Sequence, residues 1–80
     1  MDTEYEITPE MQEDIDNRMT YHRPFGNQPE RYQKIRGGAK ALMELAARIV
    51  PPGDERDIAF QKLEEFCFWS NASIARNEKE

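Results

Sequence analysis

The segment Pro51-Pro52-Gly53-Asp54 constrains this chain most, because it separates two apolar series of the same spacing. Before it, Tyr32, Ile35, Ala39, Leu42, Ala46 and Ile49 recur at steps of 3, 4, 3, 4 and 3. After it, Phe60, Leu63, Cys67, Ser70 and Ile74 recur at steps of 3, 4, 3 and 4. Such alternation keeps side chains on one side of a helix and makes a seam for another helix. Neither proline can donate a helical hydrogen bond, so the earlier helix stops there. Asp54 is expected to cap the next helix, with Glu55 and Asp57 favouring its positive end. A link this short makes the two helices antiparallel neighbours. The spacing therefore predicts a long helical hairpin over residues 29–78, within a single all-α domain spanning 1–80.

A shorter helix is predicted over residues 8–20. Thr8 is an N-cap residue, Pro9 suits the first helical position and Glu10 lies in the first turn. Met11, Ile15 and Met19 give it one narrow apolar stripe and little means of standing alone. Residues 1–7 are expected to be flexible, and 20–28 (TYHRPFGNQ), with Pro24 and Gly26, to form an ordered loop.

A second stripe on the last helix, Ile58, Phe66 and Trp69 with Phe68 beside it, is too apolar for one partner to cover. Either the first helix lies over it, or a second subunit does, since large aromatics anchor interfaces. Assembly suits the composition. Eighty residues that are 38% hydrophobic and 34% charged cannot build a thick core, and Cys67 as the sole cysteine excludes an intrachain disulfide. Cys67 and His22, the sole histidine, give no metal-ligand spacing, so no metal or other cofactor is expected. MDTEYEITPE lacks the basic and apolar regions of a signal peptide, and no apolar run approaches the roughly 20 residues of a membrane span. A cytoplasmic protein with no membrane partner is the expectation.

Nothing points to catalysis. No nucleophile, base and orienting group fall into an arrangement, and Glu64-Glu65 point in different directions and read as a solvated helix face. The charge distribution is more telling. Between Arg18 and Lys40 six basic residues face one acid, a segment of +5 that leaves −10 on the rest of a chain whose net charge is −5. That balance disfavours long nucleic acid and suits a small anion. A helix opening near Pro29 presents free N–H groups and a positive dipole end, with Arg23, Arg31 and Lys34 nearby in sequence. Tyr21, Phe25 and Tyr32 offer faces for a base, and arginine can grip phosphate. The alternative is that Tyr32 belongs to the seam and the charges are simply exposed. Gly37-Gly38 in mid-helix either admits a close neighbour to the backbone or marks a kink.

Two stretches, HRPFGNQPERYQKIR (22–36) and KLEEFCFWSNASIARNE (62–78), resemble the phage anti-CBASS cyclic-oligonucleotide sponges, which share an Acb-type helical hairpin domain. The resemblance rests on a His-Arg-Pro-like loop motif and a terminal Trp-x-Asn-Ala-x-Ile-Ala-Arg-Asn-like motif, and covers about 21–78. It implies a homohexamer, built as a trimer of dimers, that sequesters cyclic dinucleotides such as cyclic GMP-AMP, and also cyclic trinucleotides, without cleaving them. By motif position it assigns base stacking to Tyr21 and phosphate contact to Arg36, with Lys34 as the alternative. His22 and Arg23 shape the loop or touch the ligand, Arg76 serves the trinucleotide pocket, and Trp69 and Asn71 are pocket or interface supports. Gly37-Gly38 depart from the family pattern in a stretch on which the trinucleotide pocket draws. Two rivals stand beside this reading, a protein-interaction module using the aromatic stripe and a small single-strand nucleic-acid binder.

Overall fold

The computed structural model describes residues 3–80 and is all-helical, with α1 over Pro9–Met19, α2 over Gln28–Ile49 and α3 over Asp54–Asn77. The two N-terminal residues of the segment expected to be flexible lie outside the described residues, and 3–7 are not helical. Thr8 caps α1, its hydroxyl accepting the Met11 N–H at 3.2 Å. The α1 helix ends at Met19, where the Thr20 N–H still bonds back to the Asp16 carbonyl.

Helices α2 and α3 pack on each other as an antiparallel hairpin. On α3 the half-buried positions include Phe60, Leu63, Cys67, Ser70 and Ile74, the series expected from spacing. On α2 the seam runs through Tyr32, Ile35, Ala39, Met43 and Ala46, whereas Leu42 is 54% exposed and Ile49 is also exposed. Met43 thus takes the place expected of Leu42. The seam covers the same span in the same number of steps, with the order of one three and one four exchanged.

The turn also differs in detail from expectation. Gly53, not Asp54, is the N-cap of α3, and Asp54 is the first helical residue. Gly53 has φ +153°, a region that side chains rarely adopt, so the glycine sets this corner. Arg56 closes the same end. Its Nη1 donates to the Ala47 and Val50 carbonyls at 3.5 and 3.4 Å, while its guanidinium lies 5.6 Å from the Phe60 ring centre. The last carbonyls of α2 thereby gain a partner.

The helix α2 starts at Gln28, one residue before Pro29, and runs unbroken through Gly37-Gly38. It does not divide into two shorter helices there, and a Cβ on either glycine would meet nothing within 4 Å. Within this chain, no neighbour uses the space.

The helix α1 makes no packing comparable to that between α2 and α3. It does not bury the aromatic stripe: Phe66 is 51% exposed and Trp69 64%. The reading in which α1 covers these rings therefore fails for the single chain: α1 borders a groove that Trp69 shares with the end of α3, and leaves both rings exposed. The chain measures 50 × 43 × 14 Å, with a radius of gyration of 17.8 Å, against about 12 Å for a compact domain of this length. Among the described residues, Ala39 is the one fully buried apolar side chain.

Candidate ligand-binding site

The loop from Thr20 to Asn27 joins α1 to α2 and carries Tyr21, His22 and Arg23. It is held at both ends. His22 Nε2 lies 2.7 Å from the Asn17 carbonyl oxygen, tying the loop to the end of α1. At the other end the Phe25 N–H donates to Gln28 Oε1 at 3.1 Å, and the Gln28 N–H returns to the Phe25 carbonyl at 3.0 Å. Between these anchors Pro24 fixes its own φ and biases Arg23 toward extended backbone. Gly26, with φ +57°, makes the last turn before the helix. Tyr21 stands out from this loop, 81% exposed.

Gln28 is the most buried side chain described, at 2% exposure. A buried amide is tolerated only when its hydrogen bonds are made. Its Oε1 takes the Phe25 N–H, and its Nε2 donates to Glu78 Oε1 at 3.1 Å. Arg31 grips the same carboxylate with both ends of its fork, Nη1 donating to Oε1 at 3.0 Å and Nη2 pairing with Oε2. Arg31 also donates to Asn27 Oδ1 at 3.2 Å. The Arg31 guanidinium, joined by Gln28, holds the Glu78 carboxyl below its ordinary value, and the carboxylate holds Arg31 above its own. Sequence reasoning did not single out Gln28 or Glu78, since neither sits in an apolar or catalytic pattern.

Ion pairing sorts the basic segment. Arg18 pairs with Asp14 at 2.9 Å, Lys34 with Glu30 at 3.5 Å and Arg31 with Glu78. Among the described residues Arg23, Arg36 and Lys40 have no ion-pair partner. Of the two phosphate candidates, Lys34 thus has an ion-pair partner and Arg36 has none among the described residues.

Arg36 lies where two grooves between α2 and α3 meet. One, of about 340 Å³, is lined by Arg36, Lys40, Leu63, Glu64, Cys67 and Phe68, among others. The other, of about 420 Å³, is lined by Tyr32, Arg36, Phe68, Asn71, Ala72 and Ala75. Asn71 also borders the first, and its Oδ1 is buried without a hydrogen-bond partner. An unpaired guanidinium beside an exposed ring and an apolar floor offers charge to a phosphate and a face to a base. Arg76 and Trp69 lie elsewhere, in a groove of about 330 Å³ shared with Asp14, Asn17 and Arg18. Arg76 also borders Glu10, Glu13 and Lys79.

The predicted site residues therefore fall into three groups within one chain: Tyr21, His22 and Arg23 on the loop, Arg36 with Asn71 on the hairpin, and Arg76 with Trp69 beside α1. Lys34 lies nearly two turns from the loop end of α2 and lines none of these grooves. From Gln28 to Arg36 the helix rises about 12 Å, at about 1.5 Å per residue. Tyr21 lines neither Arg36 groove. Phe68 and Lys40 complete the Arg36 grooves; Lys40 was legible only as one charge of the basic segment, and Phe68 only as part of an aromatic surface.

No helix among the described residues is long and apolar enough to cross a membrane, and no cluster among them could hold a metal ion. Comparison with curated proteins and with solved structures returned no match. A family model, the Acb2/Tad1 hairpin domain, matches residues 11–75, which takes in most of α1, the loop, α2 and most of α3. The chain belongs to the Acb2/Tad1 hairpin family of sponge-type binders, a membership that suggests a phage anti-CBASS role in binding cyclic oligonucleotides.

Proposed function

We propose that this protein is a sponge that binds cyclic dinucleotides such as cyclic GMP-AMP stoichiometrically, does not cleave them, and so starves a CBASS effector in the host cytoplasm. The single observation that carries the reading is Arg36, a cation in no ion pair among the described residues, at the junction of two grooves floored by α3 and flanked by the exposed Phe68 ring, where Lys40 offsets the one acid, Glu64. Phosphate contact falls to Arg36 rather than Lys34, which Glu30 already engages. Tyr21 stacks on a base, Arg23 and His22 belong to the same loop, and Asn71 and Trp69 support the pocket and the interface.

Assembly is part of the proposal. Tyr21 and Arg36 share no groove within one chain, so a closed pocket needs the loop of one copy set over the hairpin of another. The exposed Ile58, Phe66 and Trp69 supply apolar surface for such contacts. A hexamer built as a trimer of dimers fits this requirement, and Arg76, brought toward copies of itself, would serve cyclic trinucleotides. Its acidic neighbours Asp14, Glu13 and Glu10 oppose an anion there, so the trinucleotide is the weaker ligand.

Thermal melting with cyclic GMP-AMP tests the reading. Ligand at 100 times its dissociation constant adds about 2.7 kcal/mol, or roughly 10–20 °C in Tm for a chain of this size. An unchanged Tm at high micromolar ligand, or a stable monomer by light scattering, overturns it. Tyr21→Ala and Arg36→Ala are each expected to weaken binding about tenfold or more, the loss of about 1.4 kcal/mol that a charge-assisted contact or a stacked base supplies. Unchanged affinity in both places the pocket elsewhere.

A further inference from the structure

We propose that Gln28, Arg31 and Glu78 form a latch that positions the Thr20–Asn27 loop, so that ligand affinity depends on residues that do not touch the ligand. The inference rests on the sponge reading for its ligand, and on the geometry of the latch for everything else.

The three residues come from opposite ends of the hairpin sequence, 47 and 50 positions apart, and converge on one carboxylate. Every bond of the Gln28 amide leads either to that carboxylate or to the loop backbone at Phe25. Arg31 repeats the pattern, joining Glu78 to the Asn27 side chain. An apolar residue at position 28 could fill the same space, so packing alone does not call for glutamine. What glutamine adds is direction: it fixes the Phe25 N–H, and with His22 bonded to the Asn17 carbonyl, the five residues from Tyr21 to Phe25 are restrained from both ends. Tyr21, exposed and without support of its own, is then presented in one arrangement instead of many. Ordering a loop before binding removes that entropy from the binding step, and a site that is competent only part of the time binds in proportion to that fraction. Arg31, despite its place in the basic segment, is thereby a positioning residue, its charge already met by Glu78.

The test uses the full chain, cyclic GMP-AMP as probe, and Gln28→Leu, which keeps the side chain's bulk and removes both amide bonds. The Phe25 N–H and the Glu78 carboxylate each lose a bond, so Tm is expected to fall by a few degrees while the helical circular dichroism holds. Affinity is expected to fall about tenfold, as for a loop competent about a tenth of the time. Hydrogen exchange at the Phe25 amide is expected to accelerate while the Leu63 and Cys67 amides keep their protection. Glu78→Ala, which leaves Gln28 in place, should show the same loss and carries the test if Gln28→Leu fails to fold. Wild-type affinity in either folded variant overturns the latch while the sponge reading stands. A wild-type protein that binds no cyclic dinucleotide overturns the sponge reading and the affinity claim together. A Phe25 amide that exchanges as fast in the wild type as in the variants overturns the latch independently of any ligand.

Discussion

The two apolar faces of α3 are alike in chemistry and opposite in burial. Phe60, Leu63, Cys67 and Ile74 are half-buried against α2, whereas Ile58, Phe66 and Trp69 stand exposed on the adjoining face. Removing a large apolar side chain from water is worth about 1.5–3 kcal/mol, so the second face holds stabilisation that the single chain leaves unrealised. A slab 14 Å thick has no third layer to supply the missing partner, and α1 lies to one end. The seam face folds the hairpin; the exposed face is available for a second copy.

The strongest way to break this comparison is Trp69→Ala. If that face is an interface, truncating its largest ring costs about 2–4 kcal/mol of association per contact. Light scattering should then report smaller species while far-ultraviolet circular dichroism stays helical. A variant that assembles like the wild type would place the interface elsewhere. Leu63→Ala addresses the other face and should act on folding itself. Leucine-to-alanine changes in a core cost about 2–5 kcal/mol, and a half-buried site lies at the low end. A fall of roughly 10 °C in Tm, the same at low and high protein concentration, is expected. A fall confined to dilute protein would mean that Leu63 also serves assembly.

Much of the hairpin was legible because repetition carried it. The α3 series was readable position by position, and the Pro-Pro-Gly break located the turn. The α2 series failed at Leu42 because the adjacent Leu42 and Met43 are both apolar, and spacing alone does not say whether the step of four falls before or after that position. The cap of α3 was misassigned for a related reason: Asp54 has the right chemistry, but the corner needs a backbone conformation that Gly53 supplies. Gln28 was invisible as a buried residue, since its place depends on a carboxylate 50 residues away. Local patterns encode which face of a helix is apolar. They do not encode that Arg31 is met by Glu78, 47 residues away, whereas the Glu30–Lys34 pair, four residues apart on one helix, was open to reading.

A smaller effect is expected at the paired glycines. With nothing within 4 Å of a Cβ at Gly37, Gly37→Ala should stabilise α2 by about 1 kcal/mol, roughly 4–8 °C in Tm, if the chain's own contacts are all that matter. Stabilisation together with weakened ligand binding or assembly would show that a neighbour approaches the backbone there once copies come together. A Tm that falls outright would mean the close approach is already part of the folded state.

The smallest expected effect concerns pH and sharpens the contrast between the open end of the hairpin and its turn. Glu78 is held below its ordinary value by Arg31 and Gln28, the groups that face it across the hairpin, so the folded chain binds that proton more weakly than the unfolded chain. Its contribution to stability is therefore complete above the unfolded value of about 4.3 and is lost as pH falls through the lower folded value. The pair is partly open to solvent, which keeps the effect small. Between about pH 6 and about pH 3 the wild type should lose more Tm than Glu78→Gln, whose side chain cannot titrate. The turn end is held instead by Arg56 on uncharged backbone carbonyls. Equal losses in the two proteins would mean that the Arg31–Glu78 pair does not persist in solution, and the open end would then be held by Gln28 alone.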